Sequence, residues 1–294
     1  MDVGICLPYS EPGITRKTLV DWCAAIEDSP LTALSCGERI SGADAMEMRA
    51  MMAGAAMLTQ RVRIINTLYI LPMHNAVWAA KEIATLDVLS EGRVDVVVGT
   101  GGRPNDYKAV GADFETRNKR LPGQVQTMRE TWAGKPPFEG SDIIGPKPYQ
   151  QGGPRVLGGF AGPKAIHNSA AWADGLYAFS IPGQASEIKE KMDWFQEGWD
   201  KAGRTGKPYK IGGFWYSLAD NAQQGLHHYV YEYLRIAGHD FAMSVADTMT
   251  QHSPDLILET MRAFKETGID LLFMVPASAD VTEVTRLGDL VAKI

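Results

Sequence analysis

The chain has 294 residues, 45% hydrophobic and 22% charged, with a net charge of −6. This is a globular composition rather than a disordered one. Its basic residues, densest at Lys119-Arg120 and with Arg61 and Arg63 flanking Val62, form no positive stripe of the kind a nucleic-acid binder needs. No apolar run approaches the roughly 20 residues of a membrane helix, and the opening MDVGICLPYS lacks the basic-then-apolar pattern of a signal peptide. Cys6, Cys23 and Cys36 are an odd set with neither zinc nor CxxC spacing, so reduced, buried thiols in a soluble cytoplasmic protein are expected.

Apolar runs alternate with amphipathic stretches, the rhythm of repeated βα units around a parallel sheet. The first strand is expected near Val3–Tyr9, then a helix from Thr18 to Glu27 with Thr15 or Thr18 as cap. A second strand covers Ala33–Cys36. A Met- and Ala-rich helix spans Ala45–Leu58, with Met46, Met48, Met51, Met52 and Met57 read as core. The run Val62–Leu71 is nearly continuously apolar, as a fully buried parallel strand should be. Asn75 caps the next helix, Ala76–Leu89, and Val94–Val98 is the fourth strand. After a looser stretch comes a helix near Gln124–Trp132. Residues 134–153, rich in Gly and Pro, read as an insertion, with a small hairpin as an option. Alternation then resumes with strand Arg155–Leu157, helix Pro163–Trp172, strand Gly175–Phe179, helix Ala185–Ala202 and strand Tyr209–Leu218. A helical excursion occupies 221–252, followed by helix Pro254–Thr267, strand Asp270–Val275 and a closing helix from Val281. Eight strands in this rhythm point to a single (β/α)₈ barrel over 1–294; an open doubly wound sheet is the alternative.

Chemistry in such a barrel sits at the carboxyl ends of the strands. The candidates there are Tyr9, Glu38-Arg39, Leu68–Pro72 with His74, Gly99–Asp106, Gly158–Lys164, Phe179 and Trp215. Gly99, Gly101 and Gly102 let backbone approach a ring or phosphate, or make an ordinary loop; Pro104 breaks any GxGxxG. Gly158-Gly159 followed by Pro163 and Lys164 reads as a phosphate cradle at a helix start, or simply as a tight turn. No HExxH, no histidine spacing for zinc and no GxSxG occur, so no metal and no nucleophile elbow are expected. Tyr9, Tyr69, Phe160, Phe179, Phe214, Trp215 and Tyr216 could wall a hydrophobic pocket, although most buried aromatics are packing.

The stretch Leu68 to Gly111 resembles the signature region of the luciferase-like monooxygenase family. It has an apolar strand ending in Pro, then Ala80-Lys81-Glu82, Ala84-Thr85-Leu86-Asp87, Leu89-Ser90-Glu91-Gly92-Arg93 and a Gly-rich turn. Arg117 and Trp132 sit where the family has an Arg beginning the next helix and a Trp ending it, Trp172-Ala173-Asp174-Gly175 precedes the sixth strand as in the family, and the similarity is weakest from Asn221 to Gln251. The resemblance implies a (β/α)₈ barrel with insertions, often dimeric, that binds FMN or the deazaflavin coenzyme F420 at the strand carboxyl ends. It also implies a non-prolyl cis peptide ending the third strand, by position Leu68–Tyr69.

Gly99-Thr100-Gly101 followed by Asn105-Asp106 is similar to the turn of sugar-phosphate dehydrogenases of the deazaflavin branch, in which the Asn lies near the cofactor. That implies F420, with FMN as the alternative. Two positions depart from that branch: Glu38-Arg39 replaces an Asp-His pair, and Gly102 replaces a Glu. Glu38 is then the candidate acid or base and Arg39 the candidate anion holder, against a Glu38–Arg39 ion pair that only closes a loop. The expectation is hydride transfer between F420 and a small organic substrate. Leu68, Tyr69, Gly99, Thr100, Asn105, Gly158, Gly159, Phe160, Gly162 and Lys164 would meet the cofactor, and Tyr9, His74, Phe179 and Trp215 would line the substrate pocket. The alternatives are an FMN-dependent monooxygenase using O₂ with a partner reductase, and a flavin-binding protein without turnover.

Overall fold

Each apolar run becomes one parallel strand in the computed structural model, which describes residues 1–294. The strands are β1 (Asp2–Cys6), β2 (Ala33–Cys36), β3 (Arg63–Tyr69), β4 (Val94–Val98), β5 (Val156–Gly159), β6 (Gly175–Phe179), β7 (Tyr209–Tyr216) and β8 (Leu271–Pro276). They pair in sequence order, and β8 returns to β1 through Val3↔Leu272 and Gly4↔Phe273, which closes the barrel and rules out the open sheet. Inward residues such as Ala33, Ile65, Val97, Leu157, Ile211 and Phe273 fill the interior. Outward ones such as Ile5, Leu34, Ile64 and Val96 meet the helices in a larger core.

The helices are α1 (Arg16–Glu27), α2 (Met48–Leu58), α3 (Ala76–Leu89), α4 (Pro104–Ala109), α5 (Arg117–Trp132), α6 (Pro163–Ser169), α7 (Ala185–Lys201), α8 (Ala222–Leu234), α9 (His239–Ala246), α10 (Pro254–Glu266) and α11 (Thr282–Val291). Thr15 caps α1 in a reciprocal box with Thr18. Helix α2 begins at Met48, capped by Glu47, so Met46 and Met57 are exposed and only Met48, Met51 and Met52 of the expected stripe are core. Helix α5 starts at Arg117, where the family resemblance begins it and seven positions before the Gln124 read from the hydrophobic pattern, and it runs through Pro122. Pro122 lacks an N–H for the helix ladder; Leu121, Val125, Met128 and Trp132 bury a continuous face that outweighs that loss. Residues 134–153 carry neither helix nor strand, and no hairpin forms there.

Much of the signature region is frame. Arg93 donates to the carbonyls of Ala56, Thr59, Val62 and Ser90 and to Thr59 Oγ1, fastening the end of α2 and the approach to β3 onto the turn before β4. The Asp87 carboxylate accepts from Gln150 N at 2.9 Å and from Gln150 Nε2 at 2.7 Å, pinning the insertion. Asp174 accepts from Val156 N at 2.9 Å and from Arg129 Nη2 at 2.9 Å. At Gly175 a Cβ would lie 1.9 Å from the Tyr209 carbonyl oxygen, so only glycine lets β6 and β7 approach.

A second buried carboxylate ties β7 to α11. Glu283 accepts from Ser217 Oγ at 3.0 Å, Leu218 N at 2.8 Å and Ala219 N at 3.1 Å. Burial outweighs these donors and lifts its pKa from 4.5 to about 7. The folded protein therefore holds this proton more tightly than the unfolded chain does. The Glu283 contribution is complete below pH 4.5 and declines as pH rises towards 7, by on the order of 3 kcal/mol. Urea unfolding at several pH values checks this: Glu283→Gln, a mimic of the protonated form, should flatten that part of the wild-type pH dependence.

Candidate active site

The carboxyl ends of the strands surround an apolar cavity of about 330 Å³. Its floor comes from Tyr9 after β1, Glu38 after β2, Thr67 and Leu68 of β3, and the Gly101-Gly102 turn after β4. Phe179 and Trp215 wall it from β6 and β7, and Tyr229 and Tyr233 of α8 roof it. Trp215 is the hub of the aromatic wall, with ring centroids 5.2 Å from Phe179, 5.9 Å from Tyr229 and 5.0 Å from Tyr233. Across the mouth, Arg103 Nη2 donates to the Tyr233 carbonyl at 3.1 Å and its guanidinium faces the Tyr233 ring.

The end of β3 decides which residues enter. The pairing with β4 steps from Thr67↔Val97 to Tyr69↔Val98, so Leu68 is an extra residue in a bulge. Thr67 and Leu68 both line the cavity, while Tyr69 is thrown outwards and its hydroxyl donates to Glu82 Oε2 at 2.8 Å. Tyr69 thus belongs to the outer face of the barrel, beside Arg49 and Glu82, and not to the cofactor side where it was expected. The cis peptide is Thr67–Leu68, one bond earlier than the resemblance placed it.

Leu68 also claims the glycine positions. A Cβ on Gly159 would come within 2.0 Å of Leu68 Cδ2, and one on Gly99 within 3.0 Å of Leu68 Cδ1. These two glycines, with Gly158 beside them on buried β5, admit a side chain of the protein itself. Asn105 is exposed on α4 and does not reach the cavity, whereas its neighbour Asp106 lines it. Asp106 accepts from Ile40 N at 3.3 Å, from Ser41 N at 3.1 Å and from Ser41 Oγ.

A second cavity of about 390 Å³ adjoins the other side of the β4 turn, lined by Thr100, Asn118, Phe160, Lys164, Asn168 and Trp172 among others. Gly162, the residue before α6, is exposed, and a Cβ there would meet nothing within 4 Å.

The Glu38–Arg39 ion pair does not form. Glu38 Oε1 lies 2.6 Å from His74 Nε2, and Glu38 Oε2 accepts from Ile70 N at 2.6 Å. Arg39 turns away, donates to the Ser41 carbonyl at 2.7 Å and faces an outer, polar vestibule with Glu11, Asp44 and His228. His74 backs the cavity wall through Glu38 instead of lining it. Sequence reasoning missed Thr67, Tyr229 and Tyr233, and within the candidate stretch Gly99–Asp106 it singled out Asn105, whereas Arg103 and Asp106 line the cavity. The four-residue spacing of Tyr229 and Tyr233, one face of a helix, was the available signal for the roof. No cluster of metal-ligating side chains exists.

A closed parallel (β/α)₈ barrel with an aromatic cavity at the strand carboxyl ends is a common enzyme architecture. The model of the luciferase-like monooxygenase family matches residues 1–281, and the chain belongs to that family. Among its curated relatives, the F420-dependent glucose-6-phosphate dehydrogenase of Nocardia farcinica is 27% identical over 205 residues, covering 64% of this chain and 61% of that one. The chain spans about half to three fifths of the length of the curated relatives it matches. Two solved structures share the fold. An F420-dependent secondary alcohol dehydrogenase has TM-score 0.79 and 19% identity, covering 98% of this chain and 97% of that one. The monooxygenase RslO1 of Streptomyces bottropensis has TM-score 0.77 and 18% identity, covering 100% and 98%.

Proposed function

We propose that this protein transfers hydride between the deazaflavin coenzyme F420 and a neutral, largely apolar alcohol or carbonyl compound. The observation that carries this reading is the pair of cavities on either side of the β4 turn: Gly101-Gly102 line the inner chamber, and Thr100 lines the outer one that also holds Asn118, Lys164 and Asn168. A planar ring with a phosphorylated tail needs this division. Leu68, Gly101 and Gly102 would meet the ring, Gly102 leaving open space where a Cβ would stand. Thr100, Asn118, Asn168 and the exposed Lys164 would hold the tail and its charge. The bound cofactor would supply or accept the hydride; the barrel contributes orientation and a dry chamber.

The substrate class follows from the walls. The cation lining the inner chamber, Arg103, is engaged by Tyr233, which leaves a phosphate poorly served. This argues against a phosphorylated sugar, the substrate in the Nocardia relative's name. Fluorescence titration tests the cofactor. F420 should bind at micromolar or lower Kd and FMN at least tenfold more weakly. Binding of FMN alone would move the protein to oxygen-dependent chemistry with a partner reductase, and binding of neither would overturn the reading.

A further inference from the structure

Two carboxylates line the inner cavity, and they differ in what remains free. Asp106 is occupied by three donors from the Ile40–Ser41 loop, so it serves as a fastening. Glu38 receives one backbone N–H on Oε2 and one imidazole nitrogen on Oε1. A carboxylate offers about four lone-pair sites, so Glu38 keeps acceptor capacity on the side that faces the cavity. Its side chain is 3% exposed and that of His74 is 13% exposed, which places Glu38 inside and His74 between it and solvent.

The pair is not needed to hold its own loop. His74 N donates to the Leu71 carbonyl at 2.9 Å and Met73 N to the Ile70 carbonyl at 2.9 Å, which fixes the turn at Leu71–Met73. Gln124 Nε2 of α5 donates to the His74 carbonyl at 2.9 Å and to the Leu71 carbonyl at 3.3 Å. The Tyr69 ring packs edge-on against the imidazole at 4.9 Å and sets its plane. An imidazole held on both sides and aimed at a buried carboxylate is arranged for proton exchange.

We infer that Glu38 and His74 form a proton relay between solvent and the cavity, with Glu38 as the catalytic residue and His74 as the positioning residue that restores its proton. The relay rests on the hydride-transfer reading above. In ketone reduction the bound cofactor would supply the hydride to the carbonyl carbon. The carbonyl π pair becomes a new O–H bond to the proton released by Glu38. Glu38 recovers a proton from the His74 imidazolium, and the neutral imidazole left behind is reprotonated from solvent, so one proton is consumed per ketone reduced. The ketone gains two electrons and the cofactor loses two. Alcohol oxidation runs the same transfers backwards.

The test uses the full chain, its Glu38→Gln and His74→Gln variants and the double variant. In the unloaded wild type, proton NMR should show a downfield imidazole N–H resonance from the short Glu38–His74 contact, absent from both single variants; its absence from the wild type overturns the inference. In the loaded protein, each single variant should lower kcat for an apolar ketone about 10²–10⁴-fold while its F420 Kd stays within about threefold of wild type. The double variant should be no slower than the worse single one, because the two residues act as a unit. If either variant keeps kcat within about threefold, or loses kcat only together with F420 binding, the relay is overturned. If Glu38→Gln fails to fold, His74→Gln, which keeps a donor toward Glu38, decides alone. Failure of the wild type itself to bind F420 sinks the functional reading instead, and the NMR result separates the two cases.

Discussion

Replacing Arg93 with alanine should lower the unfolding free energy by about 4 kcal/mol. The guanidinium spans five acceptors on four residues, at 2.8 to 3.0 Å. Hydrogen bonds to a charged donor contribute about 1.5–3 kcal/mol each, and their sum is reduced because water reaches part of the half-buried site. Alanine would leave the carbonyls of Ala56, Thr59 and Val62 without that donor where α2 turns into β3. Lysine should recover little of the loss, since one ammonium cannot fan out to acceptors arranged around a planar fork. Urea unfolding of the two variants checks both statements, and a loss below about 1 kcal/mol in Arg93→Ala would contradict the fastening role.

This residue also shows what the sequence could and could not disclose. The Leu-Ser-x-Gly-Arg run is among the strongest marks of the family, yet its Arg braces the barrel wall well away from the cavity. The barrel was legible because strands buried on both faces must be continuous apolar runs and the helices between them must be amphipathic. The end of β3 was legible only through the resemblance, which placed a non-prolyl cis peptide there one bond late. Simple alternation cannot anticipate an extra residue that turns both Thr67 and Leu68 inwards and sends Tyr69 out. Nor could position alone couple Glu38 to His74, whose contact spans 36 residues and depends on how two loops meet above the strands. Around α8, Tyr229, Tyr231 and Tyr233 alternate like a strand, which masks the helical pairing of Tyr229 with Tyr233 that roofs the cavity.

Trp215→Ala should have the second large effect. Trp215 is 5% exposed and makes three edge contacts with other rings. Truncating a buried Trp costs about 3–5 kcal/mol, and each aromatic pair contributes about 0.5–1.5 kcal/mol of that. The loss falls where α8 meets the barrel, so the roof loosens along with the fold. For an apolar ketone, KM should rise at least about tenfold, the equivalent of about 1.4 kcal/mol, while Trp215→Phe keeps most of both quantities. Steady-state kinetics beside urea unfolding reads the two effects separately. An unchanged KM in a folded Trp215→Ala protein would remove the aromatic wall from substrate recognition.

The division of the chamber between strands and a single helix has an evolutionary consequence. The floor residues Tyr9, Glu38, Thr67 and Leu68 rise from β-strand ends that cannot shift without unpicking the barrel, whereas the ceiling comes from one excursion between β7 and α10. Exchanging two tyrosines on that helix would resize the room above an unaltered hearth. A lineage built this way can diversify its diet by redecorating one helix face, generation after generation, without renegotiating the scaffold beneath it.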